Sequence, residues 1–211
     1  MVTQPYNHIK PSRELILSNV RYGVISRNNS ALLQTAPHRN FLDLAVIYVL
    51  FFTDNPEEQS IVTLTYGKIR RFHISVEELD RAAARNTDAV GFQIEPVSKA
   101  KNKNPLLYHL SNQANVFGAA VLLSPKWLTR LADLLKDDLY IVPFHIHGGI
   151  LAIAKSKSKP EHLRTVLADM YADVMDVSCQ LSNNIYIFDR HTATLKIAKK
   201  RIFSQGACFP S

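Results

Sequence analysis

The stretch from Leu139 to Ala154, LYIVPFHIHGGILAIA, constrains the fold of this chain more than any other. It is apolar almost throughout, interrupted by Pro143, two histidines and Gly148-Gly149. Apolar runs of this length between turn residues read as buried strands, here two of them over about 139–144 and 146–154. Proline lacks a backbone donor, so a kink or bulge is expected at Pro143. Side chains alternate along a strand, which would put His145 and His147 on one side, roughly 7 Å apart.

Other strands are expected in pairs. Val20 to Arg27 alternates, and a buried strand over 42–53 follows a turn at Ala36 to Asn40. The loop Asp54-Asn55-Pro56 leads to a return strand from Gln59 to Gly67. Leu106 to Leu110 and Phe117 to Leu123 read as a pair around the polar turn 111–115. Ile185 to Phe188 and Thr192 to Ile197 close the chain as a hairpin. Helices open at the Ser75/Glu78 capping box, at Ser124-Pro125 and at Ser158/Glu161, with 88–105 read as irregular. There is no repeated strand-helix-strand rhythm. The pattern predicts a single α+β domain with a mainly antiparallel sheet and about three surface-packed helices. Residues 1–18 read as an N-terminal arm or at best a short helix, 19–198 as the domain, and 199–211 as a basic, irregular tail.

With 211 residues and 46% hydrophobic content, one globular domain is the default. No run approaches the roughly 20 apolar residues that span a bilayer, and the N-terminus lacks the apolar core of a secretion signal. The expectation is a cytoplasmic protein with no membrane partner. Cys179 and Cys208 read as two reduced thiols. The formal charge of +7 points to anionic partners, nucleic acid foremost. Its cations cluster at Lys99, Lys101 and Lys103, at Lys155, Lys157 and Lys159, and at Lys196, Lys199, Lys200 and Arg201. Arg70 and Arg71 fall at the end of a strand, and Arg39 sits in a His-Arg turn suited to an anion. Arg39, Arg70, Arg71, Lys155, Lys157, Lys159, Lys199, Lys200 and Arg201 are therefore the candidate nucleic-acid contacts; the other reading is solvated lysine and arginine that block edge-to-edge pairing.

For His145 and His147 three readings stand. They are an acid–base pair, two ligands of a metal, or partly buried histidines satisfied by the backbone. The metal reading lacks a third ligand at diagnostic spacing, so no metal and no cofactor is expected. Gly148-Gly149 is not a phosphate loop, since the GK[ST] ending is absent. Asp43, inside an apolar strand, needs a partner, for which Arg39 or His38 is the nearby candidate. Ser111-Asn112 and Ser182-Asn183 read as turn chemistry.

The segment Pro37-His38-Arg39-Asn40-Phe41-Leu42-Asp43-Leu44-Ala45 resembles the PHRxFLDLA signature of an uncharacterised family abundant in gut Gram-positive bacteria and their plasmids and conjugative elements. Leu110-Ser111-Asn112, Phe117 to Ala120, Asp138 to Pro143, Ile146-His147, and Leu181-Ser182 before Ile185-Tyr186 follow in the same order, so the likeness covers roughly 20–197. Members usually carry a longer N-terminal region, and a serine-rich turn with a glutamate where this chain has Phe144, His145 and Gly148. His147 is kept. The mobile-element setting implies an accessory, counter-defence protein of the anti-CRISPR kind, binding a CRISPR effector ribonucleoprotein or its guide RNA. The alternatives are a nuclease acting on RNA through His147 and His145 with a cation such as Arg39, and a structural module that forms a homodimer.

Overall fold

The computed structural model describes residues 12–53, 59–97, 107–113, 115–173 and 176–198. Two antiparallel sheets share one core. In the first, β3 (Leu44–Thr53) is central: β1 (Val20–Ser26) runs along one side, and β2 (His38–Phe41) and β4 (Gln59–Thr63) share the other. The second has the order β10 (Thr194–Ile197), β9 (Tyr186–Asp189), β7 (Leu139–His145), β8 (Gly149–Ala154), β6 (Tyr108–Ser111), β5 (Gln93–Pro96). The α+β expectation holds, with two sheets where one was expected.

The apolar centre of the sequence explains itself once β7 and β8 are placed. Leu139, Ile141, Ile150 and Ala152 face the core shared with the first sheet. Val142, Leu151 and Ile153 alternate to the opposite face, beneath Leu163 and Leu167 of α6 (Pro160–Asp173). Both faces are covered, so neither carries a polar stripe. Each fully buried Leu or Ile here stabilises the fold by about 1.5–3 kcal/mol. The register slips between Pro143 and His145, as the missing proline donor predicts. β9 pairs with β7 only as far as Ile141, so Pro143 never has to donate on that side.

Helix α4 (Val76–Val90) opens on the expected capping box, Ser75 with Glu78. It covers the outer edge of β1: the Thr87 hydroxyl accepts from Tyr22 N–H, and the Asn86 side chain donates to the carbonyls of Leu17 and Val20. An edge that would otherwise template another strand is thereby closed. Asn86 is thus a strand clamp, and the helix ends at Gly91, where φ is +69°. Helix α1 (Arg13–Asn19) occupies part of the expected arm; Ser12 caps it and Ile16 is buried against the first sheet. Helix α2 (Ser30–Thr35) follows Asn29, whose side chain makes no capping bond. Helix α5 (Pro125–Leu135) starts with its proline in the first turn as expected.

Four local expectations give way. The segment Pro37 to Asn40 is mostly strand, because β2 pairs with β3 and the reversal comes later, at Leu42 (φ +54°) and Asp43. The return strand stops at Thr63; Thr65 then caps α3 (Tyr66–Arg71), so Arg70 and Arg71 end a helix and not a strand. Gln93–Pro96, expected irregular, is edge strand β5. Gly118–Leu123, expected as a strand, is a 3₁₀ helix. Its first two N–H groups go to the carbonyls of His147 and Ile146, so they are not free to build a ladder. The loop at 54–56, the Lys99, Lys101 and Lys103 cluster and the tail from Lys199 lie outside the described residues.

Candidate functional site

The β7–β8 connection is a tight reversal over Ile146–Gly148, so His145 ends a strand while His147 sits on the turn. The rings still meet, with centroids 5.8 Å apart. Their Nδ1 atoms are occupied by the backbone. His145 Nδ1 accepts from the N–H groups of His147 (3.1 Å) and Gly148 (3.0 Å), and His147 Nδ1 accepts from Phe117 N–H (3.3 Å). Each ring is therefore held as the Nε2–H tautomer. The His147 ring also packs edge-on to Phe117 at 4.9 Å, and His109 Nε2 bonds the Gly148 carbonyl.

Burial lowers the pKa of both imidazoles from their ordinary value; Asp176 partly opposes this at His145, while His145 adds to it at His147. Neither is a ready general acid at neutral pH. Among the described residues no cluster of three or more His, Cys, Asp or Glu side chains could hold a metal. Both Nδ1 atoms thus satisfy backbone N–H groups of this turn and of the segment packed against it.

The sign of the pH effect follows. The unfolded chain takes up these protons first, near its ordinary histidine pKa of about 6.5. The stabilisation is thus complete above that value and lost as pH falls toward the depressed native values. Urea midpoints should drop between about pH 7.5 and about pH 5.5, and drop less in a His145→Asn/His147→Asn variant. An equal drop in both proteins would show that other groups carry the effect.

The described candidate cations come from both sheets. Arg39 lies on β2, its guanidinium 5.3 Å from the Tyr22 ring centre and 3.8 Å from Asp80. Tyr22 and Tyr48 donate to the same Asp80 oxygen; burial, reinforced by that carboxylate, pushes the Tyr22 phenol up to about 12. Arg70 and Arg71 end α3, which follows β4 on the same side of β3 as β2. Lys155, Lys157 and Lys159 follow β8 in the other sheet, and Lys155 pairs with Asp138 at 3.0 Å. Lys199, Lys200 and Arg201 lie outside the described residues.

Three features escape the sequence. Asp43 does not pair with Arg39 or His38. Its carboxylate accepts from Ser182 Oγ (2.5 Å), Asn184 Nδ2 (2.9 Å) and the Tyr186 hydroxyl (2.6 Å), tying the β2–β3 reversal to the second sheet. Burial alone would raise its pKa, but these donors together hold it below the ordinary carboxylate value. Beside Asp43 opens a cleft of about 490 Å³, walled by the β1–α2 turn, Tyr171 of α6 and the segment 177–184. A second concavity, of about 800 Å³, lies between β5 and α5, with Phe92, Tyr108, Trp127 and Arg130 on its walls. The repeated Leu-Ser-Asn tripeptide was the available clue to the first cleft, since Ser182 and Asn183 line it.

No described helix is long and apolar enough to cross a membrane. Comparison with curated proteins and with solved structures finds no match to this chain. Residues 12–190, from the first helix to the reversal after β9, match the model of a family of unknown function, DUF5688, and the chain belongs to that family.

Proposed function

We propose that this protein acts by occupation rather than by catalysis, as a counter-defence inhibitor of the anti-CRISPR kind carried by mobile genetic elements, and that its target is a CRISPR effector ribonucleoprotein or the guide RNA within it. The observation that carries the non-catalytic part is the use of both Nδ1 atoms, on His145 and His147, as backbone acceptors. The cations supply the anionic target class. Arg70 and Arg71 are exposed, and among the described residues they form no ion pair, as is also true of Lys157 and Lys159.

The test is binding of labelled structured RNA, a CRISPR guide included, and of the loaded effector, at low and at physiological salt. RNA affinity should fall linearly on a log–log scale with salt, and an Arg70→Ala/Arg71→Ala variant should flatten the slope by about 1.5–2 units. No binding to RNA or to the effector, or binding indifferent to salt and to these arginines, would remove the basis for the target. RNA cleavage lost in His147→Ala would replace the proposal with the nuclease reading.

A further inference from the structure

From the cleft beside Asp43 we infer a binding site for an uncharged polyhydroxy ligand, a mono- or disaccharide, independent of the candidate cations. Its volume of about 490 Å³ lies within the range of small-molecule sites. The lining contains no lysine, arginine or histidine, so it offers no cationic side chain to select a phosphate or carboxylate. Its one carboxylate belongs to Asp43. Both oxygens of that group are engaged within the protein, Oδ2 by Ser182 and Asn184 and Oδ1 by Tyr186, so it is not a vacant anchor for a cation.

What remains is amide and hydroxyl chemistry. Asn28, Asn29, Gln180 and Asn183 line the cleft, and among the described residues none of their side-chain amides has a hydrogen-bond partner. Each amide offers two donors and an acceptor, which matches a ring of hydroxyls that both donate and accept. The four come from two directions, the β1–α2 turn and the 177–184 segment, so a ligand seated between them would be held from both sides. A flat nucleobase would want aromatic faces above and below, whereas the lining has a single aromatic ring, Tyr171. That ring is fixed by its hydroxyl, which accepts from Ser182 N–H and has the carbonyls of Pro143 and Ser182 within reach of its one proton. The site's floor is therefore preformed, which reduces the ordering cost of binding.

The experiment is saturation-transfer NMR on the full chain with glucose, galactose, N-acetylglucosamine, maltose and cellobiose at up to about 10 mM. Glucose 6-phosphate and adenosine serve as competitors of other chemistry. At least one uncharged sugar should bind, and an Asn28→Ala/Asn183→Ala variant should weaken it by about tenfold or more. Both side chains are exposed, so the variant should keep the wild-type melting temperature; the single substitutions provide the same reading if it does not. Absence of any sugar binding, binding unchanged in the variants, or stronger binding of adenosine or the phosphorylated sugar would each overturn the assignment. Failure here leaves the RNA experiment untouched, because the two probe different residues.

Discussion

Replacing Asp43 with alanine lowers the free energy of unfolding by about 3–5 kcal/mol, the expected cost of stranding several donors that had shared one carboxylate. The Tyr186 hydroxyl stands on a side chain with no solvent exposure, and Ser182 is buried as well, so each loses its acceptor within the protein. Asn184 loses its partner at the same time. Asp43→Asn should cost less, about 2 kcal/mol, because the amide oxygen still accepts while its NH₂ now faces donors. The pH dependence separates this role from simple packing. A carboxylate held below its ordinary value stabilises the fold above the unfolded pKa of about 3.9 and stops doing so as pH falls through the lower native value. Denaturant melts at about pH 7 and about pH 3 should therefore show the alanine variant closing part of its gap to wild type in acid. A loss under about 1 kcal/mol at neutral pH would mean that Asp43 is not what joins the two sheets.

The partners of Asp43 also mark where sequence reasoning runs out. They lie 139, 141 and 143 positions away, and local spacing carries no trace of contacts that distant. What spacing did carry was the need for a partner, because a carboxylate in an apolar strand is costly without one. The same division holds for the strands. β1, β3, β7, β8 and β9 were legible because their residues face a core on one or both sides, and burial writes itself as apolar runs. β2 was not, because His38, Arg39 and Asn40 are exposed on an edge and carry no alternation. Nor did pairing within each hairpin reveal that the strands divide into two sheets. That division depends on which hairpins meet, as when β6 joins β8 across the α5 insertion.

At the histidines, spacing predicted the neighbourhood and missed its use. An i, i+2 pair on a continuous strand would leave both rings presented on one face, whereas the chain reverses between them and brings Phe117 N–H up to His147. Gly149, at φ +87°, is what permits that reversal, and the sequence announces it only as one of a pair of small residues. Gly118–Leu123 misled for a related reason: an apolar run of that length fits a strand, while the small side chains of Gly118, Ala119 and Ala120 allow a helical turn to sit against the β7–β8 reversal.

Gly149→Ala should be among the most damaging single substitutions in the chain, at about 3 kcal/mol or more. Two independent costs coincide there. The backbone has φ +87°, a region that side chains rarely tolerate. An added Cβ would also stand 2.1 Å from the carbonyl oxygen of Leu110, a backbone atom fixed by the pairing of Leu110 with Ile150. To make room, β6 would have to leave β8, and the Leu110 side chain, wholly buried in the core, would move with it. Its neighbour supplies the control. A Cβ at Gly148 comes no closer than 3.5 Å to the tip of the Phe144 ring, an ordinary contact, and its φ is not positive. Gly148→Ala should thus fall within about 1 kcal/mol of wild type, helped by the reduced freedom of the unfolded chain. Chemical denaturation of the two variants side by side decides the matter. Comparable stabilities would mean that β6 and the turn do not need this close approach. A large gap would place the constraint on the second glycine, where the strand resumes, and so make the diglycine a device for packing β6 and the 3₁₀ helix against the turn that both histidines cap.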